Sequence, residues 1–325
     1  MNGRLEALFA QQGQVVTYGQ LLACGYTEQD VRRYLRDGLW LRIRRGAYVA
    51  RAYHDGLDEV GRHVLRTRAV VLSLGERTVV SHLSAAALYG LPLWDADLRQ
   101  VHVTRTDMGA ARTEGGVHHH VGNLRAGDTT WIDGVAVVQT ARAVVETACF
   151  ASFETAVVAA DAALYRDLAT PDDLADASAE LHAWPYSHDV GAVVGFADGR
   201  AESVGESRLR VLFDRMSMPE PVPQVTITDS DGAVVGRVDF LFAEERTVVE
   251  FDGKVKYAPD GADPALVLFR EKRREDRLRE LGYEVVRIVW SDLAHPERVV
   301  AKVRAAFARA AARPSAMHHS AHFPR

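Results

Sequence analysis

The chain has 325 residues, 47% of them apolar and 26% charged, and a net charge of −5. This is ordinary globular usage with length for two or three domains, which excludes fibrous and wholly disordered classes. The charge balance excludes a uniformly basic nucleic-acid binder, and no apolar run reaches the roughly 18 residues of a membrane-spanning helix.

Residues 2–11 predict a helix through Leu5, Leu8 and Phe9. Thr17 is placed to cap a short helix over 18–23, and Thr27 to cap a second over 28–37, with Val31, Tyr34 and Leu35 as its apolar stripe. Gly38 ends that helix. Leu39 to Val49 then alternates as a β-hairpin with its turn at Arg45-Gly46. Helix, turn, helix and hairpin make a winged helix-turn-helix over 1–55. This segment carries eight arginines against five acids, and seven of the arginines fall between 32 and 51. Arg32, Arg33 and Arg36 lie off the apolar stripe, and Arg42, Arg44 and Arg45 lie in the wing. Such a pattern suits phosphate contacts around a helix in the major groove of double-stranded DNA. Many winged helices bind protein instead, and the arginine cluster favours DNA.

Residues 60–200 read as an α/β middle domain. A short helix is expected in 81–92, strands at 99–104, 117–122 and 133–138, and helices at 140–149, 154–165 and 171–182. His118-His119-His120 alternate across strand faces, so they read as incidental rather than as a three-ligand site. The same holds for His318, His319 and His322.

Residues 203–312 form the best-organised segment: a helix at 204–216, three strands within 223–253, a helix from Asp263-Pro264 to Gly282, a strand at 284–290, and a last helix from His295-Pro296. The order is α-β-β-β-α-β-α, and the tail 313–325 reads as disordered. Alternation puts Arg237, Asp239 and Leu241 on one strand face, and Val248, Glu250 and Asp252 on one face of the next. Three carboxylates brought together repel one another, a cost that a hard divalent cation removes. The pattern alone equally admits a solvated sheet face. Glu206 is a further candidate ligand, although Ser203-Val204-Gly205-Glu206 also fits a capping box. The charges of helix 264–281 are mixed enough to read mainly as a solvated face with i,i+4 pairs.

Two resemblances sharpen these expectations. The residues Thr17, Leu21 and Gly25, then Gly38, Leu41, Arg45-Gly46 and Tyr48, then Ser81-His82, Ser84-Ala85-Ala86 and Gly90-Leu91-Pro92 resemble the AbiEi antitoxins of abortive-infection systems. The resemblance covers about residues 1–165. It implies DNA binding, autoregulation of an operon and a cognate toxin as a possible partner. Asp239, a ten-residue gap, then Glu250-Phe251-Asp252-Gly253-Lys254 resembles the PD-(D/E)XK nuclease core. Within it, the match is to a small Vsr-like (very-short-patch-repair endonuclease-like) group of unknown function. In that group a basic helix and a Gly-x-x-Val-x-Arg strand follow, here 264–281 and Gly282 to Arg287.

This second resemblance implies Mg²⁺ or Mn²⁺ held by Asp239 and Glu250 with help from Asp252, and hydrolysis of DNA phosphodiesters. The family's usual Lys position holds Asp252, so Lys254 or Lys272 would take the water-orienting role. The His found just beyond this strand in related enzymes is replaced by Lys256 and Tyr257. The fold class expected is therefore multidomain α/β: winged helix, α/β middle domain and a PD-(D/E)XK-like core. The alternative to a nuclease is a repressor or antitoxin with a degenerate nuclease fold. Cys24 and Cys149 are the only cysteines, and no secretory leader pattern opens the chain, which suggests a cytoplasmic location.

Overall fold

The computed structural model describes residues 2–75, 77–181, 189–253, 264–313 and 321–322. The chain falls into two compact units, Met1–Gly199 and Arg200–Arg325, both mixed α/β. The first unit thus contains both segments that the sequence reading separates near 55–60.

In the first unit, α1 (Gly3–Gln11), α2 (Tyr18–Ala23) and α3 (Glu28–Arg36) precede a hairpin of β2 (Trp40–Arg44) and β3 (Ala47–Ala50). A two-residue strand β1 (Val16–Thr17) pairs with β3, giving a sheet ordered β1-β3-β2. Local chemistry sets these boundaries. Thr17 and Thr27 each make a full capping box, with Gln20 and Asp30 returning the bond. Gly46, at φ 75°, turns the wing. Leu5, Phe9, Leu21, Val31 and Trp40 are buried together. Tyr34 stacks on Trp40 at 4.4 Å, which ties α3 to the root of the wing.

The sequence reading omits α4 (Arg51–Asp55) and α5 (Glu59–Leu74). In α5, His63, Thr67 and Arg68 are buried at positions an apolar stripe would occupy, so the helical period is disguised. Six strands follow: β4 (Thr78–Val80), β5 (Val101–Arg105), β6 (Arg112–Glu114), β7 (Val117–Val121), β8 (Thr129–Ile132) and β9 (Val135–Val138). They form one sheet ordered β6-β7-β5-β4-β9-β8, in which β5 pairs with β7 in parallel. The strands β4, β6 and β8 had no predicted counterpart. Helices α6 (His82–Leu88), α7 (Thr140–Ala148), α8 (Phe153–Tyr165) and α9 (Pro171–Leu181) stand close to their expected places, and α10 (Val190–Phe196) is additional. Buried alanines, among them Ala85, Ala86, Ala143, Ala156 and Ala160, let these helices approach closely.

The second unit runs α11 (Val204–Arg215), β10 (Val222–Thr228), β11 (Val234–Phe242), β12 (Thr247–Asp252), α12 (Pro264–Glu280), β13 (Glu284–Val289) and α13 (Pro296–Ala312). The sheet order is β13-β12-β11-β10-β14, where β14 is Ala321–His322. That pairing corrects the expectation of a wholly disordered tail at one point; 314–320 and 323–325 lie outside the described residues. β11 is antiparallel to both β10 and β12, whereas β12 and β13 are parallel. Phe240, Phe242 and Val249 pack with Leu209 and Phe213 of α11 and Val299 and Val303 of α13. Val225, Ile227, Leu241 and Val248 pack with Leu278 of α12. Both sheet faces are therefore covered, and the face carrying the carboxylates is not the solvated outer face considered from the pattern. Among the described residues no helix is long and apolar enough to cross a membrane.

Candidate functional site

The β11–β12 register pairs Phe240 with Val249, so Asp239 and Glu250 meet where the strands stop pairing. The Asp239 Oδ2 accepts the Phe251 N–H at 2.7 Å. Burial pushes the Asp239 carboxyl up to about 6 from its ordinary 3.8; Glu206 and Glu250 push the same way, and the Phe251 N–H opposes them. Glu250, whose side chain is 12% exposed, is held by Arg274 at 2.6 Å and Arg287 at 3.7 Å. The parallel β12–β13 register sets Arg287 directly beside Glu250. The Asp252 Oδ1 is buried with no hydrogen-bond partner among the described residues.

Glu206 sits at the start of α11, where Ser203 caps its N–H without the reciprocal bond of a capping box. Its Oε1 accepts from the Ser203 hydroxyl at 2.7 Å, and its Oε2 from Glu202 N–H at 3.0 Å and Gln224 Nε2 at 2.9 Å. Both oxygens are therefore engaged. Gly205 lies so close to Phe251 that a Cβ there would fall 1.9 Å from the ring. Asp239, Glu250, Asp252 and Glu206 supply no group of three whose ligand atoms lie within 4.8 Å of one another. Lys254, Lys256 and Tyr257 lie outside the described residues, and Lys272 is exposed. Of the basic residues on α12, Arg274 serves Glu250 and Glu271, Arg277 serves Asp229 and Glu280, and Arg279 serves Glu275.

In the first unit, Arg32, Arg33 and Arg36 line the outer side of α3 with side chains 74%, 56% and 76% exposed. Their partners are neighbours on or at the end of the same helix: Glu28, Asp30 and Asp37. Arg42 and Arg45 are exposed in the wing, while Arg44 donates to the Gly115 carbonyl at 3.0 Å. That bond draws Arg44 away from the other five.

One cluster was absent from the sequence reading. As alternation requires, His118 and His120 share a face of β7 and His119 takes the other. His120, however, meets His102 of β5 and His82 of α6, and these three are the one group among the described residues whose ligand atoms all lie within 4.8 Å. The 118–120 run does not itself converge as a three-ligand site, while His120 alone of the run joins the cluster with His82 and His102. Its partners come from segments 18 and 38 residues away, and no local spacing announces them.

Residues 4–51 match a protein family described as "Transcriptional regulator, AbiEi antitoxin". Two uncharacterized proteins of Mycobacterium tuberculosis, from strains CDC 1551 / Oshkosh and ATCC 25618 / H37Rv, are each 29% identical to this chain over 280 residues. Each alignment covers 85% of this chain and 96% of the relative.

Proposed function

We propose that this protein is a DNA-binding regulator that lays α3 in the major groove of a duplex and braces the flanking phosphates with wing arginines. The observation that carries the reading is the outward row Arg32, Arg33 and Arg36 on a helix fixed by a capping box, inside the segment that matches a regulator family. Their present ion pairs are surface pairs worth about 0–1 kcal/mol each, so exchanging them for phosphates costs little. The word antitoxin in that family's description extends the proposal to a cognate toxin as partner. The test is duplex binding at several salt concentrations. The variant Arg32→Ala/Arg33→Ala should bind about 10-fold or more weaker and lower the salt slope by roughly 1–2. Unchanged affinity and slope at low salt would remove DNA from the role of α3.

A second reading, a metal-dependent nuclease of PD-(D/E)XK type in the second unit, is favoured by the buried, partnerless Asp252 Oδ1 at the strand end that carries Glu250. An oxygen-only donor set suits Mg²⁺ or Mn²⁺. To hold the ion, Asp239, Glu250 and Asp252 would have to draw closer together than they stand here, where no three of these carboxylates lie within 4.8 Å of one another. Bound there, the ion supplies charge neutralisation and an acidified water. Arg274 and Arg287 balance Glu250, and burial raises the Asp239 carboxyl to about 6. Supercoiled plasmid incubated with Mg²⁺ or Mn²⁺ should be nicked by the unaltered protein and not by Asp239→Asn. Plasmid that stays supercoiled under both metals leaves the regulator reading alone.

A further inference from the structure

The first unit carries three buried imidazoles whose setting differs from that of ordinary core histidines. His82, His102 and His120 are 0%, 5% and 6% exposed. The His82 Nδ1 lies 3.3 Å from Glu146 Oε2, and the His82 backbone N–H donates to the same oxygen at 3.1 Å. Glu146 is itself fully buried, with its other oxygen accepting from Arg142 Nε at 2.8 Å. The His82 Nδ1 is hydrogen-bonded with Ser81 Oγ at 3.0 Å, so Ser81 and Glu146 together crowd the Nδ1 side of the ring and leave Nε2 as the nitrogen to meet a ligand. That Nε2 is buried with no hydrogen-bond partner. An imidazole held by polar groups on one nitrogen and bare on the other is the arrangement found around protein-bound zinc.

The other two rings bring the remaining nitrogens close. His102 Nδ1 and His120 Nε2 share a hydrogen bond at 2.9 Å, whose proton an ion would displace, and the His82 ring stacks on His120 with centroids 3.6 Å apart, so His82 must swing out of the stack for its lone pair to reach the same ion. Nitrogens bound to one tetrahedral ion at 2.0–2.1 Å sit about 3.3 Å from each other, so the His102–His120 pair needs to open by only a few tenths of an ångström. Supporting bonds hold the cluster from behind. Ser84 Oγ accepts the His102 N–H at 2.8 Å and lies 2.8 Å from His63 Nε2, while His63 Nδ1 reaches the Leu98 carbonyl at 2.9 Å. The Phe150 ring stands edge-on to both His82 and His120. His82 also adopts φ 52°, a left-handed conformation that residues other than glycine take uncommonly.

We propose that His82, His102 and His120 bind one borderline divalent cation of the Zn²⁺ class, with Glu146 as the carboxylate that orients His82. Three neutral imidazoles select Zn²⁺, Co²⁺ or Ni²⁺ over Mg²⁺ or Ca²⁺, which prefer oxygen. Three protein nitrogens leave a fourth position for water or another ligand. This site is chemically distinct from the carboxylates of the second unit and requires no nuclease activity there.

The test uses the untagged full chain, stripped with a chelator, reloaded with Zn²⁺ and analysed for metal content and melting temperature. The expected result is one Zn²⁺ per chain and a higher melting temperature, both lost in His102→Gln and His120→Asn. Asp239→Asn and a triple His318→Ala/His319→Ala/His322→Ala variant should both keep the ion. No stoichiometric Zn²⁺ in the unaltered protein, or full retention in the His102 and His120 variants, overturns the proposal. If those variants fail to fold, Co²⁺ bound to the unaltered protein decides. Tetrahedral visible absorption with imidazole scattering in X-ray absorption supports the site, and an oxygen-only octahedral spectrum refutes it.

Discussion

Replacing Asp239 by Asn removes a charge from a buried position while keeping the side chain's shape and an oxygen able to accept the Phe251 N–H. The carboxyl's rise from 3.8 to about 6 sets the size of the effect. At about 1.4 kcal/mol per tenfold change in proton binding, it corresponds to about 3 kcal/mol, an upper value because the group is partly exposed. The sign follows from linkage. A carboxyl whose folded-state value is raised contributes stability that is complete below about 3.8 and is lost as pH rises through about 6. Above that window the folded protein holds a buried anion among Glu206 and Glu250. Asp239→Asn should therefore be the more stable protein by about 1–3 kcal/mol near pH 8 in chelator, with the advantage fading toward about pH 4. Because the chain has two units, unfolding in urea is best followed by pulsed hydrogen exchange on peptides from β11 and β12, which reports the second unit alone. Mn²⁺ should stabilise the unaltered protein and leave the variant unmoved. A variant destabilised by a similar amount at every pH would refute the reasoning, since it would mean that Asp239 is an integral hydrogen-bonding part of the fold.

Gly205→Ala tests the packing behind the same strand. A helical Gly→Ala change alone gains roughly 0.5–1 kcal/mol, but here the Cβ meets the Phe251 ring at 1.9 Å, so a net loss of about 1–3 kcal/mol in thermal melts is expected. A gain would show that Phe251 moves freely. Thr27→Ala removes the α3 cap, at about 1 kcal/mol, and should raise hydrogen exchange in α3 peptides and weaken duplex binding together. Faster exchange with unchanged duplex affinity would separate α3 from recognition.

Short-range chemistry was legible in the chain. The pairs Thr17–Gln20, Thr27–Asp30 and Ser203–Glu206 are three residues apart, so each helix start is specified by side chains that reach their targets whatever the rest of the molecule does. Strand alternation likewise placed Asp239 and Glu250 on one face of neighbouring strands. Tertiary structure decided which groups those carboxylates face. The parallel β12–β13 register brought Arg287 beside Glu250, and α12 brought Arg274, so a carboxylate that spacing alone offered to a metal is balanced by two guanidiniums. Helix α5 escaped notice because tertiary partners for His63 and Arg68 allow polar residues on its buried side. The histidine cluster is the clearest case. His82 begins a helix, and His102 and His120 sit on strands that pair in parallel, with His120 two residues beyond the His118 that registers against His102. A parallel pairing needs a crossover between its strands, so residues meeting across it are separated in sequence by a length that carries no local period. The three imidazoles become neighbours only when the sheet has formed.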